Sequence, residues 1–449
     1  MNQAYRTLFT GTLVQESFLS SGGTDDPHAA VDQPFCRDGA GRFTLRGSGL
    51  AGALIATARR MEKGKGKELP KTITGSHKHP SVWRCFNSHP TDTVAPAARQ
   101  HVAIDEQTGA AKDQALFNVE TLPPCTRWPF LLEVDTSIDL NAADLAREAL
   151  AHWAAGRCLL GREVARGLGW LRLEGLLEHT LTSDQLDAWP NAGESEDYFG
   201  YVRRTFSGTS VPPKTDTLHG WVEYSGTITA GVREDGYGLD SLSIGGHASE
   251  ELAAAWDGRF LAADGVTYDE SMRTFDPDFA VVTLEKCGRR IPYIPGSSLR
   301  GPLRHALLRS LNAAGKPTTV VSTLFGTLET PKLPNDPKSR SAKLLIRDAF
   351  VTDEDRYSVQ LAWLQHHAED EFTAGAYGSA KFDRVAVFQG RFAWRMVLED
   401  VTINEKQALE SLLALAQDGG IGIGGGQWRG HGWLKWTLDE VKPPEARND

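Results

Sequence analysis

Short alternations of apolar and polar residues, the period of a half-buried strand, recur along this chain between stretches with helical spacing. Strands are expected over Arg6 to Val14, Trp128 to Val134 and Trp170 to Leu173, and again over Trp221 to Thr229, Gly390 to Leu398 and Trp433 to Leu438. The pattern predicts helices over Ser48 to Arg60 and Ser298 to Leu311, and a second helix in each half. Those second helices carry N-cap chemistry, Asn141 with Asp144 and Asn404 with Gln407. One junction, Ile291 to Gly301, shows how an element ends and the next begins. Ile291 and Ile294 beside Pro292 and Pro295 read as a short edge strand, and Gly296 permits a tight turn. Ser297 or Ser298 is the expected cap of the run Leu299, Leu303, Leu307.

That junction occurs twice. Arg46-Gly47-Ser48-Gly49-Leu50 aligns with Pro295-Gly296-Ser297-Ser298-Leu299. Later, His101 to Asn118 aligns without a gap with His366 to Asp383, and Arg166-Gly167-Leu168-Gly169-Trp170 aligns with Arg429-Gly430-His431-Gly432-Trp433. Three matched blocks in one order mark a duplication. Each copy reads β-α-β-β-α-β, an α+β class of two tandem ferredoxin-like or RRM-like domains with inserted hairpins. The copies are expected over 1–174 and 218–440, with a polar linker over 175–217 and a frayed tail over 441–449. The second copy carries extra length, placed between Val232 and Asp276.

A length of 449 residues fits more than one core. No apolar run is long enough to span a membrane, and the start, Met1-Asn2-Gln3-Ala4-Tyr5-Arg6, lacks the layout of a signal peptide. Five scattered cysteines argue for a reducing cytoplasm and against a disulfide framework. The net charge of −10 disfavours long-range attraction of a polyanion by the free chain. An acidic chain that touches RNA is easier to understand as one subunit of a larger assembly.

Candidate chemistry gathers at the repeated turns. A strand that turns through Gly-Ser into a helix aims backbone N–H groups and hydroxyls at one point, which suits an anion. Ser297, Ser298, Arg300 and Arg304 supply that set in the second half, and Arg46 and Ser48 in the first, where Ala51 stands at the place of Arg300. An ordinary capped helix with exposed arginines reads the same way. The glycine-rich run Gly419 to Gly432 follows a helix and precedes a strand, so it is neither a P-loop nor a dinucleotide fingerprint. Its Gly424, Gly425 and Gly426 let backbone approach a phosphate, while Trp428, Arg429 and His431 add stacking and charge. Arg162 and Arg166 occupy the shorter counterpart. A flexible surface connection is the plain alternative. His77, His79, Cys85 and His89 form a weak candidate zinc set, since their spacing matches no standard site and solvated loop histidines explain them as well. The serines lack a nucleophile elbow.

With the Ile-Pro-Gly-Ser-Ser-Leu-Arg-Gly turn, the Ile346-Arg347-Asp348-Ala349-Phe350 segment and the late glycine-rich loop, the chain resembles the RAMP superfamily. Within it, the chain looks most like backbone subunits of type III CRISPR effector complexes, fused in tandem as in type III-D variants. The resemblance implies an antiviral ribonucleoprotein with guide (CRISPR) RNA, complementary target RNA and other type III subunits as partners. It also implies target cleavage with Mg²⁺ or Mn²⁺ by an aspartate in the loop before the Gly-Ser helix. Val31-Asp32-Gln33-Pro34 fits that pattern and places the role on Asp32, with Asp26 a lesser candidate and Asp25, His28 and Asp38 nearby. A turn aspartate before a proline is the competing reading. In the second half the matching position counts back from Gly296 to about Ala280, where no Asp-x-Pro stands, with Asp276 and Asp278 upstream. That half is therefore expected to hold RNA without cutting it. The resemblance also implies that the hairpins are thumbs that wedge between bases, with Phe117 and Phe372 as apolar tips or as core residues. Two other readings stay open: a purely structural RNA-binding subunit, and a free-standing guide-RNA processing nuclease using His28 or His431.

Overall fold

The computed structural model describes residues 5–22, 31–77, 79–104, 111–187, 204–205, 207–231, 241–245, 260–262, 279–286, 289–326, 341–352, 359–369, 372–373 and 375–443. It separates into two compact units, 1–164 with 168–222 and 443–449, and 165–167 with 223–442. Unit 1 runs β1 (Arg6–Gln15), α1 (Gly47–Gly64), α2 (Lys71–Thr74), β2 (Trp83–Cys85), β3 (Ala97–Ile104), β4 (Ala111–Thr121), β5 (Arg127–Val134), α3 (Ala142–Ala154), β6 (Cys158–Leu159), β7 (Trp170–Leu181), α4 (Ser183–Asp187) and β8 (Thr209–Ser210). Unit 2 runs β9 (Trp221–Ala230), β10 (Phe260–Ala262), β11 (Phe279–Ala280), β12 (Thr283–Lys286), β13 (Arg289–Ile294), α5 (Gly296–Ala313), α6 (Thr319–Phe325), β14 (Leu344–Ile346), β15 (Ala349–Val351), β16 (Gln360–Glu369), β17 (Ala376–Glu399), α7 (Ile403–Gln417) and β18 (Lys435–Lys442).

The main sheet of unit 1 has the order β2-β5-β1-β7-β6, and β1 pairs antiparallel with both β5 and β7. In unit 2, β17 pairs with β14 and β9, and β9 pairs with β18, so the corresponding strands adopt the same order. This is the ferredoxin-like plait expected from the repeat. Its core in unit 1 lies between sheet and helices: Trp153 of α3 donates from Nε1 to Thr57 Oγ1 of α1 at 3.0 Å and meets Phe130 of β5 edge-on at 5.7 Å. Burying such large aromatic surfaces supplies most of the driving force for docking the two helices.

Several junctions differ from the sequence expectation for identifiable reasons. The thumb and the strand after it are separate in unit 1, because Pro123 and Pro124 interrupt the chain between β4 and β5 and offer no N–H to a ladder. Unit 2 lacks those prolines and forms one continuous strand, β17. Strand β7 continues to Leu181, and β8 pairs with it, so the segment after Glu174 begins inside the sheet and not in a linker. Asn141 makes no side-chain cap bond, and α7 is capped two residues before Asn404, by a Thr402–Glu405 capping box. Cys36, Cys85 and Cys158 are free thiols, and Cys125 is disulfide-bonded.

The Gly-Ser helices also start differently. α1 and α5 begin at Gly47 and Gly296, and Ser297 and Ser298 lie inside the first turn of α5. The first N–H of each is taken by a side chain from the strand region that follows: Asn87 Oδ1 accepts from Gly47 N at 2.8 Å, and the fully buried Asp348 Oδ1 accepts from Gly296 N at 2.7 Å. A Cβ on Gly47 would lie 2.2 Å from Cys85 O, and one on Gly296 would lie 2.6 Å from Ile346 O. Glycine is required here by close backbone approach, and the expected anion point is already filled by the protein's own oxygen.

Beyond α3, Arg157 donates to the carbonyls of Lys214 and Thr215 at 3.0 and 3.3 Å, which straps that segment to the helix end beside the buried His152. Burial, then Arg157, Lys214 and Lys65, hold His152 down at about 3. Its folded value lies below its unfolded value of 6.5, so its contribution is complete above pH 6.5 and is lost as pH falls toward 3. His152→Gln is expected to remove about 1 kcal/mol per pH unit of acid sensitivity, read as the difference in urea unfolding between variant and wild type below neutrality. Asp348→Ala is expected to destabilise unit 2 by about 1–3 kcal/mol, and Asn87→Ala to destabilise unit 1 by less, both measured by urea unfolding.

Candidate nucleic-acid interface

In each unit three backbone segments meet: the glycine-rich turn, the loop after the first strand, and the base of the thumb. The turn is closed by Leu160 N to Gly169 O (2.9 Å) in unit 1 and by Ile423 N to Gly432 O (3.0 Å) in unit 2. It docks on the loop through Gly169 N to Phe18 O (2.7 Å) and Arg162 N to Ser20 O (2.9 Å), matched by Gly432 N to Ser241 O (3.0 Å) and Gly425 N to Ser243 O (2.7 Å). The loop in turn pairs with the thumb strand, Leu19 with Leu122 and Leu242 with Val387. Gly161 and Gly424 have φ of +87° and +80°, and a Cβ would lie 2.2 Å from Ser20 O and 2.4 Å from Ser243 O. Left-handed backbone with a carbonyl in the Cβ position admits glycine alone.

The same register locates the candidate aspartate. Gln33 makes a parallel bridge with Val119, and Asp32 Oδ2 accepts from Asn118 N at 2.7 Å. Asp32 is exposed, and among the described residues its Oδ1 makes no hydrogen bond. Arg162 closes the third side: its guanidinium lies over Gly22, with Nη1 3.5 Å from Gln33 Oε1. Asp38 is occupied otherwise. The N–H of Arg42 first, then the Arg42 side chain, Ala40 N–H and His89, hold it at about 2. It is the organiser of a tight turn. Asp25, Asp26 and His28 lie outside the described residues.

In unit 2 the parallel pairing of β11 sets Phe279 opposite Arg384, and Val282 N reaches Ile244 O as Cys36 N reaches Ser21 O. Phe279 is therefore the counterpart of Gln33. The count that placed the counterpart of Asp32 near Ala280 is corrected by this register, which carried one residue back along the sequence matches Asp32 to Asp278. Asp276 and Asp278 themselves lie outside the described residues.

The remaining candidates separate clearly. Arg46 and Ser48 are exposed at the start of α1. Arg300 points back into the protein, donating to Phe325 O and lying 5.5 Å from the Phe325 ring, while Ser297, Ser298 and Arg304 are half-buried. Arg166 is half-buried in the turn Val164–Arg166. Phe117 is not a thumb tip: it sits half-buried on β4, stacked on His101 at 5.2 Å. Phe372 lies in the turn between β16 and β17 and is 96% exposed. The zinc candidates do not converge. His77 and His79 are exposed, His89 Nε2 pairs with Asp38 Oδ2 at 3.0 Å, and burial pushes the Cys85 thiol up to about 12. No group of three or more metal-ligating side chains gathers among the described residues.

Sequence reasoning missed His366, Arg384, Ser241 and Ser243. Arg384 Nη1 donates to Ser243 Oγ at 2.9 Å beneath Gly425 and Gly426. His431 Nδ1 lies 2.6 Å from Ser241 Oγ, and its Nε2 lies 3.3 Å from His366 Nε2. Arg429 covers the Phe382 ring at 4.7 Å, and His366 stacks on the same ring. Trp428 stands fully exposed beside them. The alignment of His101 with His366 and Phe117 with Phe382 was the available signal, since it puts both histidines on matching thumb strands.

Such an arrangement offers cations, hydroxyls, exposed aromatics and close backbone at one place, the chemistry of phosphate and base contact. The chain belongs to the RAMP superfamily, whose family model matches residues 12–172 and 288–435. One of those regions falls in each ferredoxin-like repeat. No curated protein matches the chain. Among the described residues no helix is long and apolar enough to cross a membrane.

Gly424→Ala is expected to cost about 1–2 kcal/mol from its left-handed backbone, with a further penalty from displacing Ser243 O. Gly425→Ala, whose Cβ would meet nothing nearer than 3.6 Å, is expected to unfold with the wild-type midpoint. Thermal melts of the two variants check this.

Proposed function

We propose that this chain is a tandem backbone subunit of a type III CRISPR ribonucleoprotein, of the III-D kind, and that its first domain cleaves the paired target RNA through Asp32. The supporting observation is the placement of Asp32: an exposed carboxylate anchored by one oxygen to Asn118 N, at the junction of loop, thumb and glycine-rich turn. A backbone donor fixes the carboxylate without consuming it. The thumb base beside it is where a wedged duplex would be opened, so that a 2′-OH and its neighbouring phosphorus could come into line. Sequence would be read by guide–target pairing, and the protein would hold phosphate and sugar through Arg46, Arg162 and the turns.

A divalent cation such as Mg²⁺ fits this site in a restricted sense. Magnesium commonly binds one or two carboxylates and takes its other ligands from phosphate and water. Asp32 would be the protein's ligand, and the ion would supply charge neutralisation at the scissile phosphate. Zinc has no comparable support. The second unit carries the same loop register, and Asp278 is the residue to test there. The histidine-nuclease reading is disfavoured by His431, which is buried and held down at about 4 by burial, then His366, Arg384 and Arg429. At neutral pH its imidazole is uncharged, which suits it poorly as the general acid of such a nuclease.

The test is cleavage of complementary RNA by the reconstituted complex with Mg²⁺. Asp32→Ala is expected to lower cutting at one position by roughly 10²–10⁴-fold while guide binding persists. Asp278→Ala is expected to leave cleavage unchanged, as a second unit that holds RNA without cutting it requires. Unchanged cleavage in Asp32→Ala removes that residue from catalysis and leaves the structural-subunit reading.

A further inference from the structure

Beneath the glycine-rich turns, the two repeats place different side chains on matching backbone. In unit 1, Phe18, Val119 and Leu168 are buried and apolar. The hydrogen-bond register matches them to Ser241, Arg384 and His431 of unit 2, where Arg384 and His431 are also buried. Burying polar and cationic groups costs free energy that an apolar trio does not. Unit 1 shows that this backbone accepts the apolar trio. The fold therefore does not call for the polar set, and its presence points to a ligand.

The cation has also changed place. Unit 1 carries Arg162 on the turn itself, with its guanidinium over Gly22. At the corresponding turn position unit 2 has Gly425, and the guanidinium comes from below, with Arg384 Nη1 2.9 Å from where a Gly426 Cβ would stand. Arg429 lies alongside, over Phe382. Charge is thus kept at one locus by different residues, and unit 2 adds two imidazoles in direct contact.

That contact has a defined proton capacity. Two neutral imidazoles with Nε2 atoms 3.3 Å apart share one hydrogen between them. One further proton can be accommodated on His366 Nδ1, with His366 donating from Nε2 to His431 Nε2 and His431 donating from Nδ1 to Ser241 Oγ. The pair then carries one charge beside Arg384 and Arg429, an arrangement that an anion would complete.

We propose that unit 2 holds an RNA phosphodiester against Arg384 and Arg429 and that the His366–His431 pair takes up a proton as it binds. The inference rests on the reading of the chain as an RNA-binding subunit, and not on cleavage by Asp32. The charged groups facing the pair are Arg384 and Asp383 on β17 and Arg429 on the turn. In the free chain, burial and the two arginines keep both histidines below their ordinary values, with Asp383 opposing this at His366. A bound phosphate offsets the positive field of the two arginines, so proton and phosphate each favour the other's binding.

The experiment is calorimetric titration of the full chain with a short oligouridylate at about pH 7.5 and about pH 5.5, each in two buffers of different ionisation enthalpy; uridine does not titrate in this range, whereas imidazole does. Affinity is expected to rise on the order of tenfold at the lower pH, with net uptake of up to one proton. His431→Leu, which installs the side chain of unit 1, and His431→Gln are expected to abolish the pH slope and the uptake. A slope unchanged in both variants, or oligouridylate bound by wild type without any slope, overturns the proton linkage and leaves RNA binding standing. Failure to bind at either pH overturns this site and the RNA-binding reading together.

Discussion

At the centre of each repeat, a glycine in left-handed backbone brings its Cα against a carbonyl oxygen that any side chain would strike. Gly161 against Ser20 O and Gly424 against Ser243 O are one such pair of contacts, and Gly169 against Leu160 O and Gly432 against Ile423 O, each at 2.0 Å from an added Cβ, are another. These approaches allow short N–H to O=C bonds between the turn and the loop after the first strand. Because that loop is itself laddered to the thumb strand, the three segments are fixed together. Asp32 and Arg162 in unit 1, and Arg384 and His431 in unit 2, are all mounted on this clamp.

A constant backbone frees the side chains to diverge. Unit 1 seals the clamp with Phe18, Val119 and Leu168 and presents its chemistry outward, through an exposed carboxylate at Asp32 and a guanidinium at Arg162. Unit 2 opens the same interior to Ser241, Arg384 and His431 and adds a fully exposed Trp428 above it. The helix N-termini diverge in the same manner. A neutral Asn87 fills one and a buried carboxylate, Asp348, fills the other, so neither presents its first N–H to RNA. The acidic net charge of the chain is compatible with RNA contact because the cations are concentrated at these loci.

Much of this was legible in the sequence, because duplication writes the same turn chemistry twice. The strand order, the Gly-Ser helices and the glycine-rich turns followed from aligned blocks and local patterns. What escaped was set by contacts distant along the chain. Asn87 and Asp348 cap helices from about fifty or fewer residues away, which no local N-cap rule detects. Phe117 was placed at a thumb tip because its strand register is fixed by pairing with His101, not by its own neighbours. The count to Ala280 slipped because the path from Val282 to Gly296, which holds the β12–β13 hairpin, is longer than the path from Cys36 to Gly47, and only strand pairing reveals that. Arg384 gave no signal, since its partner residue in unit 1 is a valine.

The central claim is that both repeats grip RNA through the same clamp. Amide hydrogen exchange on the full chain, with and without bound guide RNA, tests it directly. Protection is expected in both 158–169 and 421–432, with the thumb bases following. Protection confined to one repeat, or found only away from the glycine-rich turns, would contradict it.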